Sequence, residues 1–337
     1  MTDQAVVIGI GDYPKFGADG NSPNNLPGAL NDATAMADWF LNTAQANVRL
    51  ITSTGVDGQP WQVTNLAPAR PVTSDLDLAF VPFVRANPPQ IGNRLYVYAA
   101  GHGLAPNPRS RSLITADATG TTWVPNLEIP AWIDWFANQL QFNELVLWMD
   151  CCGTQALEYA SAKPAGLSNT AARPPPPAKV FMAFASGFGR SAYEAPVGAD
   201  GKARGLFTSR LINGLKGAAA DANGEVRSSS LANYLRNGAS GPATVNDQPA
   251  IVPQQDDMLF AAKPAPRYEI RATRPDGSLV PDGTSVTLTN PPGPSQSLAL
   301  VKEGWVHFNL GVGLYKLSGG GLDRLIEIGA ATPTQIL

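Results

Sequence analysis

The sequence is poor in residues that bind metals or form covalent crosslinks. Its 337 residues include two cysteines and two histidines. The cysteines, Cys151 and Cys152, are adjacent, so they cannot link distant segments, and a disulfide framework is excluded. So small a set of ligands also argues against a structural zinc site. We therefore expect neither a bound metal nor a cofactor.

Basic residues are also scarce relative to acidic ones. The chain has 24 Lys and Arg against 27 Asp and Glu, a net charge of −3, and the basic residues form no cluster. Such a charge balance gives nucleic acid no attractive surface. No apolar run approaches membrane-spanning length, and the first residues, Met1 to Gln4, lack the basic segment of a signal peptide. These absences predict a cytoplasmic protein that binds neither nucleic acid nor membranes.

Strand-like and helix-like segments alternate along most of the chain. Nearly continuous apolar runs predict buried strands at 5–10, 48–51, 94–101, 144–150 and 179–185. Helical spacing of apolar residues predicts helices at 29–42, from a cap at Ser74 to Val84, at 129–140, and around 207–215 and 231–235. The alternation predicts an α/β fold, a three-layer α/β/α sandwich with a mostly parallel sheet, over residues 1–262.

The character of the sequence changes near Lys263. Strand-like segments without helices follow at 267–271, 285–289, 305–309 and 314–317, separated by Pro-Asp-Gly and Pro-Pro-Gly turn signals. Their size and pattern predict a small C-terminal all-β, sandwich-like module spanning residues 263–337. The second histidine, His307, lies in this module, and we expect it to be structural.

The chemically interesting residues follow two of the predicted parallel strands. His102, between two glycines, comes after the third strand, and the pair Cys151 and Cys152 comes after the fourth. Open α/β sheets place their chemistry just beyond the carboxyl ends of such strands. A thiol becomes a strong nucleophile when an imidazole takes its proton, so His102 and Cys152 form a candidate dyad. Because side chains alternate at a strand end, we expect Cys151 to face the core. A structural thiol and a core histidine are the alternatives.

Six short motifs lie in order along the first 260 residues. They occupy residues 6–11, 26–33, 98–103, 150–152, 185–187 and 205–208. Together they resemble the caspase and metacaspase clan of cysteine peptidases, and the fifty-residue separation of His102 and Cys152 is also similar to that of caspases. The resemblance implies a caspase fold and a His102–Cys152 dyad that cleaves protein or peptide substrates through an acyl-enzyme. The candidate oxyanion hole is formed by the backbone N–H groups of Gly103 and Cys152.

The resemblance also implies a substrate specificity. Asp150, two residues before the nucleophile, is similar to the Asp of metacaspases and paracaspases, which cleave after Arg or Lys. By the same match, Asp32 joins Asp150 on the floor of the S1 pocket, with Ser186 as a further substrate contact. Two recessed carboxylates favour a guanidinium over a carboxylate. The alternative role for Asp32 is to cap the first helix.

The sequence departs from the metacaspase pattern at three places. Cys152 is followed directly by Gly153, Ala29 replaces a cysteine, and Arg190 lies in a segment where acidic residues are expected. No acidic cluster indicates a calcium site, so calcium activation has no support in the sequence. An acid-specific caspase would require Arg190 to outweigh both aspartates of the S1 pocket.

Two functions from different classes remain open. The first is a metacaspase-like endopeptidase acting in regulated proteolysis, such as stress, cell death or antiviral defence, and triggered by a protein partner or by processing. Loop 155–178, which carries Lys163 and Arg173, is then either a self-cleavage site or an ordinary linker. The second is a pseudopeptidase, a caspase-fold scaffold whose shortened loop after Cys152 is inactive and whose β module docks a partner.

Overall fold

The structure is a computed structural model that describes most of the chain. The described residues are 2–20, 22–62, 69–86, 90–107, 110–120, 124–154, 161–165, 176–196, 202–221, 224–237, 249–252, 257–262, 267–272, 274, 276–289, 296–302, 305–309, 313–328 and 334–335. The chain divides into two compact units, Met1–Ile212 with Leu235–Met258, and Asn213–Tyr234 with Leu259–Leu337. We refer to them as the first unit and the second unit.

Helices occur where the periodicity predicts them. The helical segments are α1 (Pro27–Asn42), α2 (Thr73–Val84), α3 (Ile129–Ala137), α4 (Leu206–Asn213), a π-helical turn (Gly214–Ala218) and α5 (Ser228–Asn237). The described strands comprise long central strands and many short ones. In chain order they are β1 (Gln4–Gly9), β2 (Asn47–Thr52), β3 (Gly55–Val56), β4 (Gln59–Pro60), β5 (Arg94–Ala100), β6 (Gly103–Leu104), β7 (Ser112–Ile114), β8 (Asn126–Leu127), β9 (Glu144–Asp150), β10 (Lys179–Phe184), β11 (Glu194–Pro196), β12 (Ala203–Gly205), β13 (Glu225–Arg227), β14 (Ala250–Ile251), β15 (Leu259–Ala262), β16 (Arg267–Arg271), β17 (Ser285–Thr289), β18 (Gln296–Leu300), β19 (Trp305–Asn309), β20 (Gly313–Gly319), β21 (Leu322–Ile328) and β22 (Thr334–Gln335).

The start of α2 differs from the prediction that Ser74 caps it. The helix begins at Thr73, and the N–H of its N-cap residue, Val72, donates to the Asp75 carboxylate at 2.9 Å. A carboxylate in the first turn that reaches back to the N-cap N–H is one half of a capping box. Ser74 is therefore inside the helix, and the prediction was wrong by two positions at this end.

The first unit is built on an eight-stranded sheet with the order β14-β10-β9-β5-β1-β2-β3-β4. The strands from β10 to β2 in this order pair in parallel, and the short strands at both ends are antiparallel. The predicted mostly parallel sheet is confirmed.

Alternate side chains of the central strands face different helices. Trp148 of β9 stacks on Phe40 of α1 with ring centroids 5.9 Å apart. Its neighbour Leu147 belongs to the core that includes Phe80 of α2 and Trp132 of α3, whose rings stack at 5.0 Å. Because successive strand residues point to opposite faces, helices cover both sides of the sheet. The predicted three-layer α/β/α arrangement is confirmed.

The second unit is rich in short β-sheets. Its strands form sheets β13-β15, β19-β16-β22 and β18-β17-β20-β21. Val286, Leu288, Val306 and Leu317 are buried in its apolar core. All four predicted strands are present, whereas β13, β15, β18, β21 and β22 were not predicted. The boundary predicted after residue 262 stays a prediction, because residues 263–266 lie outside the described part of the chain.

Three other predictions are only partly covered by the described residues. Residues 155–160 and 166–175, with Arg173, lie outside them, while the Lys163 ammonium is 2.7 Å from a carboxylate oxygen of Glu128. His307 lies on β19 opposite Glu269, and its structural role stays a prediction. None of the described helices is both long enough and apolar enough to cross a membrane.

Candidate active site

A cavity of about 220 Å³ opens at the carboxyl ends of β5 and β9, beside the start of α1. Four of the predicted site residues line it: Asp32, His102, Asp150 and Cys152. Residues 191–194 and Gly205 form much of the remaining wall. The predicted dyad and the predicted S1 carboxylates therefore share one cavity.

The register of the sheet explains why His102 and Cys152 come to the same place. Ala100 of β5 pairs with Asp150 of β9, and each site residue follows two positions after its member of this pair. The segments that follow the two strands stay hydrogen-bonded at the end of the sheet, because the N–H of Gly101 donates to the Asp150 carbonyl at 3.3 Å. Parallel strands of equal length thus deliver both side chains to one edge.

The His102 ring is oriented by a backbone carbonyl. Its Nε2 lies 2.8 Å from the carbonyl oxygen of Asn24. A carbonyl can only accept, so Nε2 carries the proton and Nδ1 of the neutral ring has a lone pair available. The ring also meets Tyr13 and Phe16 edge-on, with centroids 4.7 and 5.1 Å away. Burial lowers the pKa of His102, and the Asn24 carbonyl opposes this only in part, so the neutral form is favoured.

Tyr13 holds the backbone at His102, a role that sequence reasoning missed. The His102 N–H donates to the Tyr13 hydroxyl at 3.0 Å, and the hydroxyl donates to the Ile114 carbonyl at 3.1 Å. The Ile114 N–H in turn donates to the His102 carbonyl at 2.9 Å. The Tyr13 hydroxyl therefore bridges the His102 N–H and the Ile114 carbonyl, which would bond directly in a regular antiparallel pair. Burial raises the pKa of Tyr13, so it stays a neutral donor.

The positions on both sides of His102 have no room for a side chain, so both are glycine. Gly101 has φ of 151°, and a Cβ there would lie 2.5 Å from the Tyr13 hydroxyl. A Cβ on Gly103 would lie 2.7 Å from both the Cys151 Sγ and the Cys152 carbonyl oxygen. The backbone of Gly103 therefore packs directly against the two cysteines.

The adjacent cysteines have different environments. Cys151 is 2% exposed in the core, as predicted from strand alternation, and burial raises the pKa of its thiol. Cys152 is half-buried and lines the cavity. Its Sγ accepts the Ala192 N–H at 3.4 Å. A thiol that is partly exposed in a cavity with a neutral imidazole is the better nucleophile.

Ser186 lies behind the cysteine loop and does not line the cavity. Its fully buried hydroxyl accepts the Gly153 N–H at 2.9 Å and donates to the Arg190 carbonyl at 3.1 Å. A Cβ on Gly153 would lie 2.3 Å from the Gly187 carbonyl oxygen. The loop shortened after Cys152 is thus packed tightly onto the loop after β10. Substrate contact by Ser186 stays a prediction, and Arg190 is exposed outside the cavity lining.

The two floor carboxylates are held by the segment that begins α4. Asp32 accepts the Gly205 N–H at 2.6 Å through Oδ2. Asp150 accepts both the N–H and the hydroxyl of Thr208, at 3.1 and 2.6 Å, through its own Oδ2. The Thr208 oxygen is in turn 2.6 Å from the hydroxyl of Tyr98, which donates to it. The motif at 205–208 was noted from the sequence, but its role as the anchor of both acids was not.

Asp32 is the strained member of this pair. It is 1% exposed, and its Oδ1 has no hydrogen-bond partner among the described residues. Burial, together with repulsion by Asp150, raises the pKa of Asp32 to about 8. A buried carboxylate oxygen without a donor is costly, so a cationic ligand would find a preformed partner here.

A third carboxylate connects the wall of the cavity to α1. Glu194 accepts the Gly28 N–H at 3.2 Å. This N–H is one of the donors in the first turn of α1 that have no acceptor within the helix, and the N-cap residue Leu26 offers no side-chain acceptor either. Burial raises the pKa of Glu194, and the backbone donors of Gly28 and Ala29 oppose that shift. The described residues contain no group of three or more His, Cys, Asp and Glu that could hold a metal.

Comparisons with known proteins identify the family of the chain. A family profile described as "Caspase domain" matches residues 2–237. The chain therefore belongs to the caspase-domain family, whose members are cysteine peptidases that act on proteins. In the comparison with curated proteins, no sequence matches. Among solved structures, caspase-1 from Spodoptera frugiperda is similar, with 12% identity, a TM-score of 0.48, and coverage of 77% of this chain and 92% of that one.

Proposed function

We propose that this chain is a metacaspase-like cysteine endopeptidase that cleaves proteins after Arg or Lys. The observation that carries the proposal is the single cavity lined by Cys152, His102 and the two floor carboxylates, Asp32 and Asp150. It combines a nucleophile, a base and an anionic recess within the reach of one substrate residue.

In the proposed reaction, His102 moves the proton. Its Nδ1 takes the thiol proton of Cys152, and Sγ forms a bond to the substrate carbonyl carbon. The C–N bond then breaks as His102 returns the proton to the leaving amine. Water hydrolyses the thioester and releases the new carboxylate. The Asn24 carbonyl keeps the proton on Nε2, so Nδ1 is the nitrogen that exchanges it.

The ladder at β6 supports Gly103 as an oxyanion donor. Antiparallel residues alternate between pairs that exchange hydrogen bonds and pairs that do not. His102 and Ile114 form a hydrogen-bonded pair: the Ile114 N–H donates to His102 directly, and the Tyr13 hydroxyl bridges the return bond. The next pair, Gly103 and Leu113, is therefore of the type that exchanges no hydrogen bonds. The Gly103 N–H therefore points away from Leu113, and together with the Cys152 N–H it forms the proposed oxyanion hole.

The charges of the cavity support a basic P1 residue. Asp32, Asp150 and Glu194 line it, and no Lys or Arg is among its described lining residues. Arg190, which an acid-specific enzyme would need, is exposed elsewhere. A guanidinium in this recess would give the unpaired Asp32 oxygen its donor.

The wider role rests on the family alone. We propose regulated proteolysis in the cytoplasm, such as stress, cell death or antiviral defence, with an activating protein partner and without a calcium requirement. The test uses fluorogenic peptides ending in Arg, Lys or Asp, with and without calcium, beside Cys152→Ala. Release after Arg or Lys that depends on Cys152 is the expected result. Release after Asp alone would overturn the assigned specificity.

One observation favours the second candidate, a pseudopeptidase scaffold. The Ala192 backbone lies against Cys152 Sγ, on the wall that a substrate must approach. An arginyl electrophile such as a chloromethyl ketone separates the two functions by mass spectrometry. Labelling at Cys152 is expected for the peptidase, and an unlabelled Cys152 in folded protein would support the scaffold.

A further inference from the structure

A second and larger groove, of about 660 Å³, lies on the other side of His102 from β9. It is lined by residues that follow β1 and β2, including Asp12, Ser53 and Thr54. In the sheet these strands come after β5, so the order along the carboxyl edge is Cys152, His102 and then this groove.

Two short segments separate the groove from the dyad. In the first, Asp12 and Pro14 line the groove, whereas Tyr13 between them binds the His102 N–H. In the second, Pro23 and Asn25 line the groove, whereas Asn24 between them binds the His102 ring. Alternate residues thus serve two neighbouring sites. A polypeptide that leaves the dyad in the direction away from Asp150 and β9 meets this groove next.

One part of the groove lining is apolar and held in place by neighbouring groups. Trp61 is fixed by a 2.8 Å bond from Nε1 to the Thr52 carbonyl, and the Arg70 guanidinium lies 4.6 Å from its ring centroid. Three proline rings, those of Pro14, Pro23 and Pro60, line the same space. Aromatic and proline surfaces that need no reordering on binding suit an apolar or aromatic side chain.

Two side chains of opposite charge, Asp12 and Arg70, also line the groove, beside the polar Asn25, Ser53 and Thr54. The Asp12 carboxylate has no partner among the described residues. Arg70 uses Nε and Nη2 for the Asp75 carboxylate, which leaves Nη1 without a described partner. One acceptor and one donor beside an apolar wall match the N–H and C=O groups of an extended peptide.

We propose that this groove is a primed-side subsite that binds the substrate residues following the cleaved bond, with an apolar or aromatic side chain against Trp61. The inference rests on the proposed function, because the S1 assignment of Asp32 and Asp150 sets the direction of the substrate. With P1 held at those carboxylates, the chain beyond the scissile bond leaves on the opposite side of His102.

Binding to the Cys152→Ala protein tests the subsite without requiring catalysis. Two fluorescent peptides are compared by anisotropy, one ending at the P1 arginine amide and one continuing for four residues that include Leu and Phe. Burying one such side chain against Trp61 is expected to tighten binding about tenfold. Trp61→Ala should abolish that gain, and Trp61→Phe should retain most of it.

A second variant, which fills the groove instead of emptying it, controls for the case in which Trp61→Ala fails to fold. Thr54 lines the groove with an exposed side chain, so Thr54→Trp fills the space at the loss of one hydrogen bond, the 2.9 Å contact between the Thr54 and Thr52 hydroxyls. It should also abolish the gain while leaving the shorter peptide unaffected. Equal affinity for both peptides, or a gain that survives both Trp61→Ala and Thr54→Trp, overturns the subsite. Cleavage by the Cys152 protein is measured separately, so a retained gain without cleavage would refute the proposed peptidase but not the groove.

Discussion

The dyad end of the cavity and its carboxylate floor are held in place by different means. His102 is positioned by neutral groups, the Asn24 carbonyl and the Tyr13 hydroxyl, and by aromatic edges. Asp32 and Asp150 instead bring two carboxylates into one buried space, and one oxygen of Asp32 is left without a described donor. The first region depends on exact fit and the second on charge.

This difference predicts how each region responds to substitution. At the dyad end, added atoms collide with fixed neighbours: a Cβ on Gly101 would meet the Tyr13 hydroxyl, and one on Gly103 would meet the two cysteines. At the floor, an isosteric change from carboxylate to amide keeps the shape and alters only the charge. Substitutions at the dyad end should therefore remove turnover, and substitutions at the floor should change which substrate is turned over.

The sharpest contrast is between the two cysteines. Cys152→Ala should lower kcat/KM for an arginyl peptide by about 10⁴-fold or more, because Cys152 is the proposed nucleophile and the neighbouring thiol of Cys151 is buried. Cys151→Ala should cost stability and leave most of the activity, since its thiol is buried in the core. Steady-state hydrolysis and thermal unfolding of both variants provide the measurement. Equal losses of activity would mean that the nucleophile is wrongly assigned.

The next largest effect is expected at Gly103. In Gly103→Ala the new Cβ must displace the Cys152 carbonyl from 2.7 Å, and a shift of this kind should lower kcat about 10²-fold. Gly187→Ala is the matched control, because its Cβ would meet only the Arg190 side chain, at 3.6 Å. If both variants retain full activity, the fit at the dyad end is looser than the structure indicates.

Charge removal at the floor should act on selectivity. Asp150→Asn keeps an oxygen for the Thr208 donors but loses the charge, so kcat/KM for arginyl peptides should fall about 10- to 100-fold. Labelling of Cys152 by a small uncharged reagent such as iodoacetamide should change little. A parallel loss of both would indicate that Asp150 supports the dyad rather than S1.

The smallest effect is the pH dependence of substrate affinity. Below about pH 8 Asp32 holds its proton, and it becomes an anion only as the pH rises through that value. Because Arg stays protonated throughout this range, KM for an arginyl peptide should fall a few-fold between pH 6.5 and 8.5. Asp32→Asn should have a nearly flat KM over the same range. A wild-type KM that rises instead would contradict the assignment of Asp32 to the floor.

The sequence predicts the sheet and places His102 and Cys152 at one edge of it, where the structure has both lining one cavity. Short apolar runs that alternate with helical segments are typical of buried parallel strands. The carboxyl ends of such strands meet at one edge of the sheet. The adjacency of His102 and Cys152 follows from those two facts. The facing of Cys151 into the core was likewise predicted from alternation alone, and its 2% exposure agrees.

The supporting residues could not be predicted in the same way. Tyr13, Asn24 and Thr208 act through hydrogen bonds across long sequence separations, and no periodicity marks such partners. Asn24 acts through its backbone, so its side-chain identity carries no signal. The predicted start of α2 was wrong because the Asp75 carboxylate accepts the Val72 N–H, so the helix begins before Ser74 without a Ser or Thr cap.

The contrast between the two thiols also has a practical consequence. The chain has two cysteines, and Cys151 is withheld from solvent reagents by burial and by its raised pKa. Cys152 is then the one thiol that a maleimide should modify in the folded protein, so a single mass increment counts accessible cavities directly. A dye attached there needs no engineered attachment point, and unfolding, which exposes Cys151, should raise the limit from one label to two per chain.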